Sequence, residues 1–267
     1  MGYLRLEPEH LSRGRMRLRI LIAASLVGMA PAASAQPASG HVARGDREYA
    51  AMNAPAALAS YEAAIAADPE SYEALWKAAR SAIDVGSYLP DASRRSAMYA
   101  SAEQYARKAV SLRKKEAEGH FSLARALGKT ALALNPRGRL KYGTEVRAQA
   151  LECLQIDARH AGCLHVMGMW NAEVMRLNRI TRMIARNILG GRELGSASWK
   201  NAVMYMEQAV ASEPDRIVHR VDMGEVYRDI GDRVRARSEL ETAIRLPETD
   251  VNDRHYKEQA KSALKSL

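Results

Sequence analysis

The chain has 267 residues with a formal charge of +9, and it contains nine prolines and a single phenylalanine. This length is sufficient to bury a sizeable core in one domain, and the abundance of Ala, Leu, Met, Glu and Arg favours helices over strands. The basic excess fits an alkaline surface or anionic partners, but no segment resembles a module that reads RNA or DNA, so we expect no nucleic-acid partner.

The beginning of the chain has the pattern of an export signal. Arg17 and Arg19 precede an apolar run at residues 20–33, and the small-x-small sequence at 33–35 ends just before Gln36. A positive start, a short apolar run and a small-residue cleavage site are the three parts of a secretory signal. The apolar run is short for a transmembrane helix, which favours a cleaved signal over a membrane anchor.

We therefore expect residues 1–35 to be a signal peptide cleaved near Ala35, with Met16 as an alternative start, and residues 36–267 to be an exported, periplasmic domain. An Arg- and Ala-rich mitochondrial presequence is the alternative. In an oxidising compartment Cys153 and Cys163 could form a disulfide. Both cysteines fall in predicted core helices, however, so the sequence favours two buried free thiols.

Residues 223–243 have the pattern of two short helices folded back on each other. Gly224 and Ala236 are small where two helices approach closely, and Gly231 marks the turn between them. Tyr227 and Leu240 extend an apolar stripe at helical spacing. This pattern is typical of a tetratricopeptide (TPR) unit, which cannot bury its apolar face alone and therefore predicts neighbours of the same kind.

The same spacing recurs four times upstream, which gives five pairs of helices, each with a first (A) and a second (B) helix. The A-helix contact sites are Gly45, Ala79, Ala124, Gly168 and Gly224, and the B-helix sites are Ala57, Ala102, Val146, Ala202 and Ala236. Each B site lies 22 residues before the next A site, whereas the A-to-B distance is 12 in the outer pairs and 23, 22 and 34 in the middle pairs. We therefore predict an all-α, TPR-like helical-hairpin solenoid with lengthened middle pairs that form a raised wall, followed by a C-terminal capping helix.

Several segments in this register resemble the regulator of microtubule dynamics family and its bacterial relatives. They are EALWKAAR at 73–80, EGHFSLARALG at 118–128, GCLHVMGMW at 162–170 and IRLP at 244–247, and the resemblance covers about residues 40–267. The resemblance implies a TPR-like domain used for binding, associated in eukaryotes with microtubules, mitochondria and membrane contacts. One member has a TPR domain implicated in phospholipid binding. For an exported bacterial protein it implies the fold and a binding role only.

The A helices of a TPR stack line its concave groove, where we expect a partner or ligand to bind. The groove residues predicted from the register are Trp76, Arg80, Ile83, Phe121, Arg125, His165 and Met169. Aromatic rings beside two arginines could hold an apolar chain and an anionic group together. The alternative is that the aromatic residues pack beneath the wall and that the two arginines pair with Glu73 and Glu118.

A second candidate surface lies in the long insertion of the fourth pair. Arg179, Arg182 and Arg186 recur at three- and four-residue spacing among apolar residues, as in a basic amphipathic helix. Such a helix could contact an anionic lipid surface or an acidic partner. The alternative is an extended solenoid helix whose basic edge is solvated.

No motif for catalysis is present: the sequence lacks a phosphate loop, an H-E-x-x-H motif and a nucleophile elbow. His160, Cys163 and His165 lie close in sequence, but no fourth ligand is near and the last two point to different sides of one helix, so we expect no metal and no cofactor. We therefore expect a non-enzymatic binding or adaptor protein that holds a protein or peptide in its groove. The alternative is a carrier of an anionic amphiphile, such as a phospholipid or a fatty acid.

Overall fold

The computed structural model describes residues 37–132, 134, 136–178, 181–183 and 192–267, so the expected signal peptide lies outside the described residues. The α-helices are α1 Ala38–Ala50, α2 Ala54–Ala67, α3 Tyr72–Tyr88, α4 Ala92–Leu112, α5 Ala117–Leu132, α6 Pro136–Ile156, α7 Ala161–Arg176, α8 Trp199–Ser212, α9 Ile217–Asp229, α10 Arg233–Arg245 and α11 Asp253–Lys265. A 3₁₀-helix, Arg192–Ser196, lies between α7 and α8. Within the described ranges there is no strand, and none of the helices combines the length and apolar character needed to cross a membrane.

These helices form the predicted solenoid of five pairs. Each helix packs against the next one in the chain, and α1, α3, α5, α7 and α9 also pack against one another in order. The last helix, α11, packs on α9 and α10 through an apolar cluster, as expected for a capping helix. The odd-numbered helices therefore lie side by side and present a common face, which is the arrangement that makes a concave groove in a TPR stack.

Small residues bring the two helices of a pair together where the register predicts. Gly168 and Gly224 are buried in α7 and α9. A Cβ atom on Gly168 would lie 2.6 Å from Cγ of Met206, and one on Gly224 would lie 2.8 Å from Cγ of Leu240. Because real Cβ atoms do not approach other atoms this closely, the partner helix occupies the space that a side chain would need.

Polar side chains fix where the helices begin. The side-chain oxygens of Ser71, Asp91, Ser198 and Asp232 accept hydrogen bonds from backbone N–H groups three residues later, at 3.4, 2.7, 3.0 and 3.0 Å. Such caps satisfy N–H groups that have no partner within the helix. Gly231 has φ of +84°, a left-handed conformation that ends α9 at the predicted turn.

The lengthening of the middle pairs is confirmed for the second and third pairs. Helices α3 to α6 have 17, 21, 16 and 21 residues, compared with 13 or 14 in the first and fifth pairs. The prediction is wrong for the B helix of the fourth pair, because α8 has 14 residues while α7 has 16. Of the described residues between α7 and α8, 181–183 are helical and Arg192–Ser196 form the 3₁₀-helix.

Candidate functional site

The concave faces of the A helices line a cavity of about 1210 Å³. Six of the seven predicted groove residues line this concave cavity: Trp76, Arg80, Phe121, Arg125, His165 and Met169. The expectation for Ile83 is wrong, because its side chain is fully buried in the core between the first helix pairs. Ile83 points away from the concave face because it continues the buried stripe of α3 with Ala82 and Ala79.

One part of the cavity wall is apolar. Phe121 and Met169 line it together with Val146, Trp170 and Leu194. The indole Nε1 of Trp170 donates a hydrogen bond of 2.8 Å to the carbonyl of Gly143, so the ring is held while its apolar faces stay available for packing. Ala131 and Leu132 at the end of α5, and Val174 near the end of α7, also line the cavity.

Another part of the wall carries three guanidinium groups. The Arg80 group stacks 3.5 Å from the ring centre of Tyr49, and its buried Nε has no hydrogen-bond partner among the described residues. Arg125 donates to Oδ1 of Asp84 at 3.3 Å, and Arg216 donates to Oδ2 of Asp250 at 2.9 Å. Neither Arg80 nor Arg125 pairs with Glu73 or Glu118 as the alternative predicted. Those carboxylates instead contact Lys77 and His160.

Lys129 is a further cation on this wall. It lines the cavity, and no ion pair or hydrogen bond engages its ammonium group within the described residues. Burial lowers the pKa of Lys129, and the nearby positive charge of Arg125 acts in the same direction. Arg80 likewise forms no ion pair with a carboxylate among the described residues; its guanidinium contacts the ring of Tyr49 and the hydroxyl of Tyr61.

A short connection between α10 and α11, residues 248–252, closes one side of the cavity; we call it the closing segment. Its Asp250 accepts a hydrogen bond of 3.3 Å from the hydroxyl of Tyr49, and its Asn252 donates one of 3.0 Å to Asp84. The hydroxyl of Tyr88 also donates a hydrogen bond of 2.8 Å to the carbonyl of Val251. The C-terminal end of the solenoid is thus joined to its first two helix pairs, and the groove becomes a cavity.

A pair of stacked histidines forms part of the opposite wall. The rings of His165 and His219 lie 4.8 Å apart, and Nε2 of His165 is 2.7 Å from Oδ2 of Asp222. Burial lowers the pKa of His219 to about 2, with the charges of His165 and Arg216 acting in the same direction. His219 is therefore neutral at any ordinary pH, and its buried Nδ1 has no hydrogen-bond partner in the described part of the chain.

The two cysteines form a disulfide, which corrects the expectation of buried free thiols. Cys153 of α6 and Cys163 of α7 are both fully buried, as predicted, but their Cα atoms are only 6.4 Å apart across the turn between the helices. The sequence could not supply this distance. His160 begins α7 and accepts the N–H of Cys163, so it lies beside the disulfide, whereas His165 faces the cavity.

The basic helix predicted in the fourth pair falls mostly on residues that the structure does not describe, including Arg179 and Arg186. Arg182 is described, and its guanidinium donates to the carbonyl of Met175 at 3.3 Å. This contact directs Arg182 back to the end of α7. A role of these arginines in binding stays a prediction.

Sequence reasoning missed part of the cavity wall. Arg216, Asp250, Asn252 and Tyr256 line it, but only the position of Arg216 directly before an A helix could have indicated this. The others follow the last repeat, where the register ends and the pattern predicts only a cap. Trp170 was also missed as a lining residue, although it follows Met169 in the same helix.

Comparisons with known proteins agree with this fold. The family model described as regulator of microtubule dynamics protein 1-3 matches residues 41–267. A search of curated proteins gives no match. The solved structure of TTC0263, a thermophilic TPR protein of Thermus thermophilus, is 19% identical, covers 84% of this chain and 99% of its own, and has a TM-score of 0.58. A MamA structure from Desulfovibrio magneticus RS-1 is 13% identical over 78% of this chain and 94% of its own, with a TM-score of 0.45.

Proposed function

This chain belongs to the regulator of microtubule dynamics protein family, and from that premise we propose that it is a non-enzymatic, exported TPR-like binding protein. It holds a segment of a protein or peptide partner in its concave cavity. The observation that carries this proposal is that aromatic and cationic side chains from three successive A helices face one cavity: Trp76 and Arg80 from α3, Phe121 and Arg125 from α5, and Met169 from α7. Concave sites that combine aromatic side chains with convergent polar groups are typical of ligand binding.

Export is supported by the disulfide between Cys153 and Cys163 as well as by the signal-like beginning of the chain. Disulfides persist in oxidising compartments such as the periplasm and are rare in the cytosol. An exported protein meets no microtubules, so the partner is a component of the same extracytoplasmic compartment. The helices provide a rigid frame on which the cavity side chains are held.

The test is recovery of partners from a periplasmic extract by immobilised protein, using wild type and the variant Trp76→Ala/Arg125→Ala. A matched control is Trp199→Ala/Arg235→Ala, which removes the same residue types from α8 and α10, away from the residues that line the cavity. We expect the cavity variant to recover at least about tenfold less partner than wild type, which corresponds to a loss of ~1.4 kcal/mol of binding free energy. The control should recover as much partner as wild type. Equal recovery of partner by the cavity variant and the control would show that the partner does not bind in the cavity.

A second candidate function is the transport of an anionic amphiphile, such as a phospholipid or a fatty acid. The observation that favours it is the closing segment, which gives the groove the form of a pocket with an apolar wall and a cationic wall. Arg80 and Arg125 would contact the anionic head, while Phe121 and Met169 would contact the chain. Each buried methylene contributes about 0.8 kcal/mol, so eight of them give roughly 6 kcal/mol before the costs of ordering.

Native mass spectrometry of freshly purified protein distinguishes the two candidates. A bound amphiphile that is present in the wild type and absent from Arg80→Ala/Arg125→Ala would favour the carrier. Protein that carries no added mass, and whose thermal stability does not rise with phosphatidic acid, would leave the protein-binding function as the better account.

A further inference from the structure

Asp250 of the closing segment occupies a cationic site inside the concave cavity. Its carboxylate accepts hydrogen bonds from Arg216 at 2.9 Å and from the Tyr49 hydroxyl at 3.3 Å, and its side chain is buried. Although burial disfavours the charged form, Arg216 and the hydrogen bonds from Asn252 outweigh it and hold the pKa of Asp250 below its usual value. The positive charge of Arg125 acts in the same direction. An ionised carboxylate of the protein itself therefore occupies a site whose cationic and hydrogen-bonding groups suit an oxyanion.

This carboxylate arrives from a part of the chain that is attached mainly through polar contacts. The closing segment reaches the first two helix pairs through hydrogen bonds of Tyr49, Tyr88 and Asp84. By contrast, α11 is anchored independently, because its Ala260 and Ala263 pack in an apolar cluster with α9 and α10. The segment can therefore separate from the first helix pairs without removing α11 from the end of the solenoid.

The second carboxylate at the site is different. Asp84 belongs to α3, is 1% exposed, and accepts hydrogen bonds from Tyr49, Arg125 and Asn252. Since it is part of a helix in the middle of the stack, Asp84 stays in place when the closing segment moves. Departure of Asp250 alone would leave Arg216 without its carboxylate partner, whereas the Tyr49 hydroxyl would keep Asp84 as an acceptor at 3.0 Å.

We infer that Asp250 is an internal competitor that holds the cavity closed, and that the oxyanion of a ligand, a carboxylate or a phosphate, replaces it on Arg216. This inference rests on the proposed function, since it concerns how the same cavity admits its ligand. Opening and binding are coupled because one cationic site cannot hold both anions. The apparent affinity for a ligand is then reduced by the fraction of molecules that are closed.

The first test measures affinity by titration calorimetry, with decanoate as the probe and decanol and acetate for comparison. The variants are Asp250→Asn, which removes the competing charge at constant size, and Arg216→Gln, which weakens the site. The matched control is Glu239→Gln, which removes a carboxylate that pairs with an arginine elsewhere. Glu239 of α10 accepts a hydrogen bond of 2.7 Å from Arg220 of α9, and neither residue lines the cavity.

We expect Asp250→Asn to bind decanoate about tenfold more tightly than wild type, Arg216→Gln to bind it about tenfold more weakly, and Glu239→Gln to match wild type. Decanol should show no gain in Asp250→Asn, because it carries no charge to compete. Acetate binding as tight as that of decanoate would identify a small anion as the ligand, whereas tighter decanoate binding would identify an amphiphile. Equal decanoate affinity in wild type and Asp250→Asn, or no binding in any variant, would overturn the inference.

The second test needs no ligand, so its outcome is separable from a failure of the proposed function. Amide hydrogen exchange followed by mass spectrometry compares the closing segment in wild type, Asp250→Asn and Glu239→Gln. We expect exchange of residues 248–252 to be about tenfold faster in Asp250→Asn, with α11 protected in all three proteins. Unchanged exchange in Asp250→Asn, or equal acceleration in Glu239→Gln, would show that Asp250 does not hold the segment, even if partner recovery still depends on Trp76 and Arg125.

Discussion

Gly224 and Gly128 are both helical glycines, but their surroundings differ in the space they leave for a side chain. A Cβ atom at Gly224 would lie 2.8 Å from Cγ of Leu240, whereas one at Gly128 would meet nothing within 4 Å. We predict that Gly224→Ala lowers the free energy of unfolding by about 1–3 kcal/mol through overpacking. Gly128→Ala should raise it by up to about 1 kcal/mol, since alanine is the better helix former. Urea unfolding of the two variants measures both effects, and a stable Gly224→Ala protein would contradict the close A–B contact.

His219 makes the stability of the protein depend on pH. Its pKa is about 2 in the folded state because of burial and the charges of His165 and Arg216, whereas an unfolded histidine has a pKa of about 6.5. Between these values the unfolded chain binds one proton more than the folded chain, so stability falls as the pH falls below about 6.5.

We therefore predict that wild type loses about 1.4 kcal/mol per pH unit below pH ~6 relative to His219→Gln, which carries no titrating group at this position. Denaturant unfolding at a series of pH values between about 4.5 and 7.5 measures the difference. Titration of the histidines that do not contact His219 is common to both proteins and cancels in the comparison. Parallel pH profiles for the two proteins would mean that the pKa of His219 is about the same in the folded and the unfolded chain.

At the scale of the elements, the first and last helix pairs share a turn with a left-handed residue. That residue is Gly231 in the fifth pair, with φ of +84°, and Met52 in the first pair, with φ of 59°. We predict that Gly231→Ala lowers the free energy of unfolding by about 1–2 kcal/mol, because a Cβ atom is disfavoured in this conformation. Gly231→Asn should cost less, since asparagine tolerates it. A steric clash does not contribute to the difference between the two variants, because nothing lies within 4 Å of a Cβ atom at Gly231. Equal losses in the two variants would argue against a backbone origin.

The helix pairs could be predicted because the determinant is local and periodic. Small residues such as Ala79 and Ala102 recur at fixed spacing, and a helix pair buries them wherever the spacing is kept. The length of α8 could not be predicted in this way. An insertion of 22 residues fits either longer helices or a connection with a 3₁₀-helix, and only packing against the rest of the stack decides between them.

The whole cavity was only partly predictable for a related reason. The register placed Trp76, Phe121 and Met169 on one face, because each lies on an A helix of known phase. The closing segment follows no repeat, and its contacts join residues that are 163 to 201 positions apart, such as Tyr49 and Asp250. Long-range polar contacts of this kind have no periodic signature in a sequence. The disulfide is similar, because its formation depends on the 6.4 Å distance between two Cα atoms.

We propose that the concave cavity is where this protein holds its partner. Site-specific photocrosslinking tests it most directly, with a photoreactive amino acid placed at Met169 in the cavity wall or at Val234, which is 82% exposed and lies outside the lining. After irradiation in a periplasmic extract, we predict a discrete crosslinked product from position 169 and none from position 234, and we expect Trp76→Ala/Arg125→Ala to abolish the product. A product at position 234 with none at position 169 would contradict the account.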